Sequence, residues 1–243
     1  MPTKCINCPL RKRDVFVEMS ECELAFMQEF KAGELKVEPG TTLMLEGSSS
    51  PQLYTVLDGM GLRYKMLENG ERQVISFVMP GDFIGLQAGV MREMKHSVEA
   101  STDMVLCVFD RRTLWGLFRD HPERAFDLTW LAAVEEHFLG ESLVVIGHMN
   151  GLARIARAFV RLHDRGESLG LAQNGVMKLP YKQQDLADAL GLSLVHTNKS
   201  LKKLRERGIA EWRNGTLKIL SYGKLCEMGL LDEKREMMKR PLI

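Results

Sequence analysis

The chain has 243 residues, 45% hydrophobic and 27% charged, with 33 Lys and Arg against 32 Asp and Glu, a formal net charge of +1. That length suits two modest domains with real cores. No apolar run approaches a membrane span, and the opening MPTKC lacks the charged-then-apolar layout of a signal peptide, so the expectation is a cytoplasmic protein.

The near-neutral total hides an asymmetry. Between Gly151 and Lys224 there are 14 Lys and Arg against 6 Asp and Glu, whereas the rest of the chain carries 19 against 26. A basic third joined to an acidic two-thirds reads as a polyanion-binding module attached to something else.

In chain order, the first feature is a Cys-x-x-Cys pair, Cys5 and Cys8. In a reducing compartment five cysteines do not make a disulfide framework, which leaves metal binding, redox chemistry or burial. Alone, the pair reads as half a zinc site, a redox dithiol or two bystanders. A structural zinc site needs four firm N or S ligands, and a second tight pair is missing; a dithiol needs no third cysteine. Next, SECELAFMQEFK (20–31) reads as a short helix. Ser20 and Glu23 form a capping box, and Leu24, Met27 and Phe30 share a face.

From Leu35 to Asp110 the pattern changes. Gly40, Gly47, Gly59, Gly70 and Gly81 recur about every ten residues between short apolar runs. This spacing predicts an antiparallel β domain, a barrel or jelly roll, with Asn69-Gly70 as a hairpin turn. A long helix follows from Pro122, apolar from Phe126 to Ile146. Leu128, Ala132, Glu135, Leu139, Ser142 and Ile146 form one stripe; Leu131, Val134, Phe138 and Val145 fill the adjacent one. So wide an apolar arc needs partners on two sides, the β domain and a second copy of the helix in a two-fold dimer. His148 to Gly151 reads as a hinge. After it come a basic amphipathic helix (152–165), a strand (176–181), two helices and a hairpin.

Residues 183–207, QQDLADALGLSLVHTNKSLKKLRER, form a helix-turn-helix pattern. Leu186, Ala187 and Leu190 face inward, Gly191 makes the turn and Ser193 caps the second helix. At about 100° per residue, Thr197, Ser200, Leu201 and Leu204 fall on one side of that helix. Val195, Asn198, Lys199 and Lys202 fall on the other. This outer face suits a major groove: Asn pairs with adenine, Lys reaches guanine acceptors and Val packs on a thymine methyl. Lys203, Arg205 and Arg207 are placed for phosphates, and His196 for a phosphate or water. Asn214-Gly215 turns a wing whose Arg213 and Lys218 add backbone contacts. No nucleophile–base constellation or phosphate loop is present, so no enzyme is expected.

With these features the chain resembles the CRP/FNR superfamily of bacterial transcription regulators from about Cys5 to Leu220, closest to the FNR-like (iron–sulfur) branch. PGDFIG (Pro80 to Gly85) is similar to the family's β-roll signature, and GLSLVHTNKSLKKLRERG stands where its recognition helix belongs. The resemblance implies an α+β fold: an N-terminal Cys segment and short helix (1–31), a β-roll or jelly-roll sensor domain (32–120), a long dimerisation helix (121–148), a C-terminal winged helix-turn-helix (149–225) and a C-terminal tail (226–243). It implies a homodimer on double-stranded DNA with a near-palindromic operator, acting with RNA polymerase.

The FNR-like branch holds an oxygen-labile [4Fe–4S] cluster. By resemblance its ligands here are Cys5, Cys8 and Cys107, with Asp14 at the third N-terminal cysteine's position or Cys22 as the fourth ligand. The cluster's integrity would then bias the long helix towards the DNA-competent state. Cyclic-AMP-binding members carry a ribose-binding Glu and a phosphate-binding Arg-Ser pair; here those positions hold Leu86 and His96-Ser97, so cyclic AMP is not the expected ligand. FNR-like readers carry Glu, Ser and Arg where Val195, Asn198 and Lys199 stand, which implies a different operator. A regulator without a cluster, sensing a small molecule or constitutive, is the alternative.

Overall fold

A computed structural model describes residues 2–234 and 238–243, in two compact units. One is Met1–Glu136 with Lys239–Ile243; the other is His137–Met238.

The first unit opens with single helical turns at Cys5–Asn7 and Leu10–Lys12, then α1 (Glu21–Phe30). The capping box at α1 is formed: the Glu23 N–H donates to Ser20 Oγ at 3.3 Å, and Glu23 accepts from the Ser20 N–H at 2.7 Å. Strands β1 (Lys31–Val37), β2 (Thr42–Met44), β3 (Gln52–Asp58), β4 (Gly61–Met66), β5 (Arg72–Val78) and β6 (Phe83–Ile84) follow. After them come α2 (Leu86–Met91), β7 (Ser97–Ala100), β8 (Met104–Asp110), α3 (Leu114–Asp120) and α4 (Pro122–His148). The strands make two antiparallel four-stranded sheets, ordered β1-β8-β3-β6 and β2-β7-β4-β5, the jelly-roll arrangement that the glycine spacing predicts. Gly70 turns β4 into β5 at φ 83°, and the Asn69 side chain braces the turn by accepting from the Glu71 N–H at 3.0 Å.

Strand alternation decides which core each β8 side chain faces. In β8, Leu106 and Val108 enter the core shared by the two sheets, with Val56, Ile84, Val98 and Met104. Cys107 and Phe109 therefore face the other side. There they meet a second core built from Met27 and Phe30 of α1, Leu114 and Leu117 of α3, Leu128 and Leu131 of α4, and Ile243.

The second unit contains the remainder of α4, then α5 (Gly151–Ser168), β9 (Ala172–Gln173), β10 (Val176–Lys178), α6 (Gln183–Leu190), α7 (Leu194–Glu206), β11 (Ala210–Arg213), β12 (Thr216–Ile219) and α8 (Tyr222–Met228). Its sheet runs β11-β12-β10-β9, so the wing hairpin pairs with the strand that precedes the helix-turn-helix. The predicted hinge is a helix break in which Asn150 caps α5, accepting from the Ala153 N–H at 3.1 Å.

The compact units divide within α4, between Glu136 and His137, while the helix break lies at Met149–Asn150. The expected tail begins inside α8, where Cys226 is fully buried. Lys239–Ile243 is no free tail, because it belongs to the sensor unit. The physical reason is its composition: Leu242 and Ile243 are apolar and find a core, at 5% exposure each.

Candidate nucleic-acid interface and cysteine site

The helix-turn-helix is assembled by three local devices. Gly191 ends α6 in the left-handed region at φ 61°. Ser193 caps α7, its Oγ accepting from the His196 N–H at 3.2 Å. Ala187, fully buried, lets the two helices approach. The α7 core side is Thr197, Ser200, Leu201 and Leu204, with exposures of 0%, 4%, 9% and 0%. Val195, Asn198, Lys199, Lys202 and Lys203 are all exposed. Asn198, Lys202, Arg205 and Arg213 line one groove of about 190 Å³ between α7 and the wing. Asn214 and Gly215, at φ 50° and 67°, make the tight wing turn.

Some of the basic residues are committed elsewhere. His196 is exposed, but its ring rests on Gly151 so closely that a Cβ there would lie 2.5 Å from Nε2. Lys202 pairs with Glu206 at 3.6 Å, and Arg213 with Glu211 at 3.1 Å. The α5 arginines serve the fold: Arg154 donates to the carbonyls of Ile146 (2.6 Å), Met149 (2.8 Å) and Leu190 (2.8 Å), satisfying helix C-termini. Arg157 donates to the carbonyls of Gly229 and Leu230, and Arg161 pairs with Glu141. The charge surplus thus overstates what is free for phosphates, and among the described residues Asn198, Lys199, Lys203 and Arg205 are exposed polar groups of α7 without a side-chain hydrogen bond or ion pair.

In the sensor unit, Cys5, Cys8 and Cys107 line one cavity of about 40 Å³ with Leu10, Lys31, Thr55, Leu242 and Ile243. Sequence alone could not join them: the pair comes from the first helical turn, and Cys107 from a strand flanked by β1 and β3, opposite Glu34 and Thr55. Burial pushes the Cys5 thiol up, and Lys31 opposes the shift. Burial likewise pushes Cys107 up to about 11, with Lys31, hydrogen-bonded to it, opposing. Both thiols are thus held protonated at neutral pH, and a metal ligand there must lose its proton. Lys31 is anchored by donating to Thr3 O at 2.7 Å and Glu34 Oε1 at 2.8 Å.

Asp14 and Cys22 are exposed and stand outside this lining. Cys22 lies five residues before Met27, about 140° away around α1, so burying Met27 turns Cys22 outward. The donor set of three thiols beside a cation suits a thiophilic centre. The space does not: 40 Å³ holds little more than a water or two, and an eight-atom cluster has no room while Leu242 and Ile243 are in place.

A second charged site ties the β-roll to α4. The buried Arg63 donates to Glu135 Oε1 at 2.6 Å and to Phe83 O at 3.0 Å, and Asp82 adds a second carboxylate facing it. His96 is pushed down to about 4, first by burial and then by Arg63. Ser97 Oγ accepts from the Glu46 N–H at 3.0 Å. Of these residues the sequence singled out the His96-Ser97 pair, Asp82 and Phe83 within PGDFIG and Glu135 in the α4 stripe; Arg63 carries no motif.

Two family descriptions match the chain: Cyclic nucleotide-binding domain over residues 34–121, and Crp-like helix-turn-helix domain over 153–228. The nitrogen fixation regulation protein FixK of Rhizobium meliloti (strain 1021) is 33% identical over 181 residues, covering 73% of this chain and 77% of that one. The transcriptional activator protein FnrL of Cereibacter sphaeroides is 25% identical over 209 residues, 85% of this chain and 83% of that one. The solved structure of FixK2 from Bradyrhizobium japonicum aligns with a TM-score of 0.72 at 25% identity, over 80% of this chain and 96% of that chain.

Proposed function

The chain belongs to the CRP/FNR superfamily of transcription regulators, on its FNR-like branch, and from that premise we propose that it is a homodimer whose DNA binding responds to redox state through Cys5, Cys8 and Cys107. Its helix-turn-helix is a DNA-binding domain, and its relatives are regulators, not enzymes. Among the described residues no helix is long and apolar enough to cross a membrane.

The observation that carries the redox reading is the meeting of three thiols from distant segments beside Lys31. With Leu242 and Ile243 displaced, these cysteines would hold an iron–sulfur cluster, with a fourth ligand that the cavity lining does not supply. Such a group, when bound, provides an oxygen-sensitive charge. Lys31 and Arg11 would stand beside that charge, in a lining whose other members, the thiols and Thr55 apart, are apolar.

Dimerisation is supported by α4, where Leu139 and Leu143, one turn apart, are 46% and 73% exposed. Two copies would present two α7 helices to major grooves about 34 Å apart on a near-palindromic operator, with RNA polymerase as the further partner. The test is iron and acid-labile sulfide content after anaerobic purification, followed by operator affinity before and after air. A brown protein that bleaches and changes affinity in step supports the reading; a colourless anaerobic protein with unchanged DNA binding removes it.

The small cavity favours a second reading, a regulator without a cluster whose cysteines are incidental. Under that reading Cys5→Ser leaves regulation intact.

A further inference from the structure

We propose that Lys239–Ile243 is a strap closing the three-cysteine cavity, so that a thiol-directed ligand reaches Cys5, Cys8 and Cys107 only when the strap is displaced. The inference rests on the redox reading above and names its regulation.

Four kinds of contact hold the strap. Its backbone pairs in parallel with Phe16: the Arg240 N–H donates to Val15 O at 2.8 Å, and the Val17 N–H donates to Arg240 O at 3.0 Å. Its charge is matched, with Arg240 Nη2 on Asp82 Oδ1 at 3.0 Å. Its apolar side chains, Leu242 and Ile243, are buried and line the cavity beside the thiols. Thr55 Oγ1 donates to Ile243 O, and Thr55 stands opposite Cys107 in the β3–β8 register, so Ile243 is held one strand from the sulfur.

The PGDFIG turn is shaped around this arrangement. A Cβ on Gly81 would lie 2.3 Å from the Phe16 ring, so only glycine lets Phe16 sit on the turn and offer its backbone to Arg240. Asp82, next in the turn, does double duty: one oxygen accepts from the Met79 N–H at 2.9 Å and the other from Arg240. The same carboxylate faces Arg63, which holds Glu135 of α4. Lifting Arg240 therefore changes the charge balance beside Glu135, midway along the long helix.

Against the ordering of five residues stand two main-chain hydrogen bonds, the Thr55 hydrogen bond to Ile243 O, one ion pair and two apolar side chains, opposing contributions of similar order, which is the balance of a segment that opens before the fold does. Its removal would extend the cavity by the volume of a leucine and an isoleucine, which relieves the shortage of space around the thiols.

The experiment is maleimide labelling of the full chain under reducing conditions, read cysteine by cysteine by mass spectrometry, for the parent, Arg240→Ala and Ile243→Asp. Cys22, exposed and outside the cavity, and Cys226, buried in the other unit, are internal references. The expected result is that Cys5, Cys8 and Cys107 label about tenfold faster in the variants while both references keep their rates. Cavity thiols with unchanged rates in both variants overturn the strap. Circular dichroism checks folding, and Arg240→Ala, which removes no core side chain, decides the question if Ile243→Asp unfolds. Iron and sulfide content answers the separate matter of the cluster: a parent and variants all free of iron sink the cluster reading and leave the labelling result standing.

Discussion

On α7 the groups offered to a ligand stand in water: Val195 is 64% exposed, and Asn198, Lys199 and Lys203 are exposed beside it. In the sensor unit the groups offered to a ligand are enclosed, with Cys107 driven up to about 11 by burial and Leu242 and Ile243 packed over the same cavity. The first surface is ready for its partner, and DNA needs only to arrive. The second lies under Leu242 and Ile243. Under the redox reading proposed above, the reader is permanently built and the threshold for binding sits at the enclosed thiols.

The largest effect expected on the reader comes from its hidden side. Leu204 is fully buried beneath α7, and Leu204→Ala should cost about 2–5 kcal/mol through lost burial and a residual cavity. Calorimetry should show the transition of the second unit moving down while that of the sensor unit stays. A single transition that moves as one would break the comparison by making the two regions one cooperative block.

Acid separates the regions next. Burial, and after it the Arg63 guanidinium, push His96 down to about 4 from its ordinary 6.5. Its folded value is depressed, so its stability is fully present above pH 6.5 and is lost as the pH falls towards 4. The loss is on the order of 3 kcal/mol, since the unfolded chain binds the proton that the folded chain refuses. Urea titrations at steps across that window should show the sensor unit weakening, and His96→Gln should flatten the dependence. An unchanged slope in His96→Gln would place the acid sensitivity elsewhere.

How legible each region was follows from the range of its contacts. The α7 face could be read from a helical wheel, because Thr197, Ser200, Leu201 and Leu204 repeat with the helix itself. The Ser193 cap, the Gly191 turn and the Asn214-Gly215 wing are likewise local chemistry. Cys107 was reached only through a family resemblance; nothing near it in sequence says that β8 turns it towards Cys5 and Cys8. The expectation for Asp14 came from aligning a motif, with Cys22 as the alternative thiolate; both are exposed and outside the cavity lining. The strap was not legible at all. Arg-Pro-Leu-Ile has no periodicity, and its partners Phe16, Thr55 and Asp82 lie more than a hundred residues away.

Within the reader, base readout should outweigh backbone contact. Lys199→Ala should relax preference at one base position per half-site by about 1–3 kcal/mol, measured by titrating operator variants against random duplex. Equal losses on all sequences would mean that Lys199 meets phosphate and that α7 lies rotated in the groove.

The smallest effect should come from Lys203. Its ammonium has no ion-pair partner among the described residues, unlike Lys202, which shares Glu206 at 3.6 Å. It lies beyond the Asn198–Lys199 face, towards the C-terminal end of α7, where a duplex offers phosphate and not base edges. Lys203→Ala should therefore weaken binding by under about 1 kcal/mol at moderate salt, uniformly across sequences, and lower the slope of log K against log salt by about 0.9 per contact. Lys202→Ala should move that slope less, because Glu206 already offsets its charge. Were Lys203→Ala to change sequence preference with the slope intact, the assignment of the two faces would be reversed: Lys203 would read bases, and Lys199 would hold the backbone.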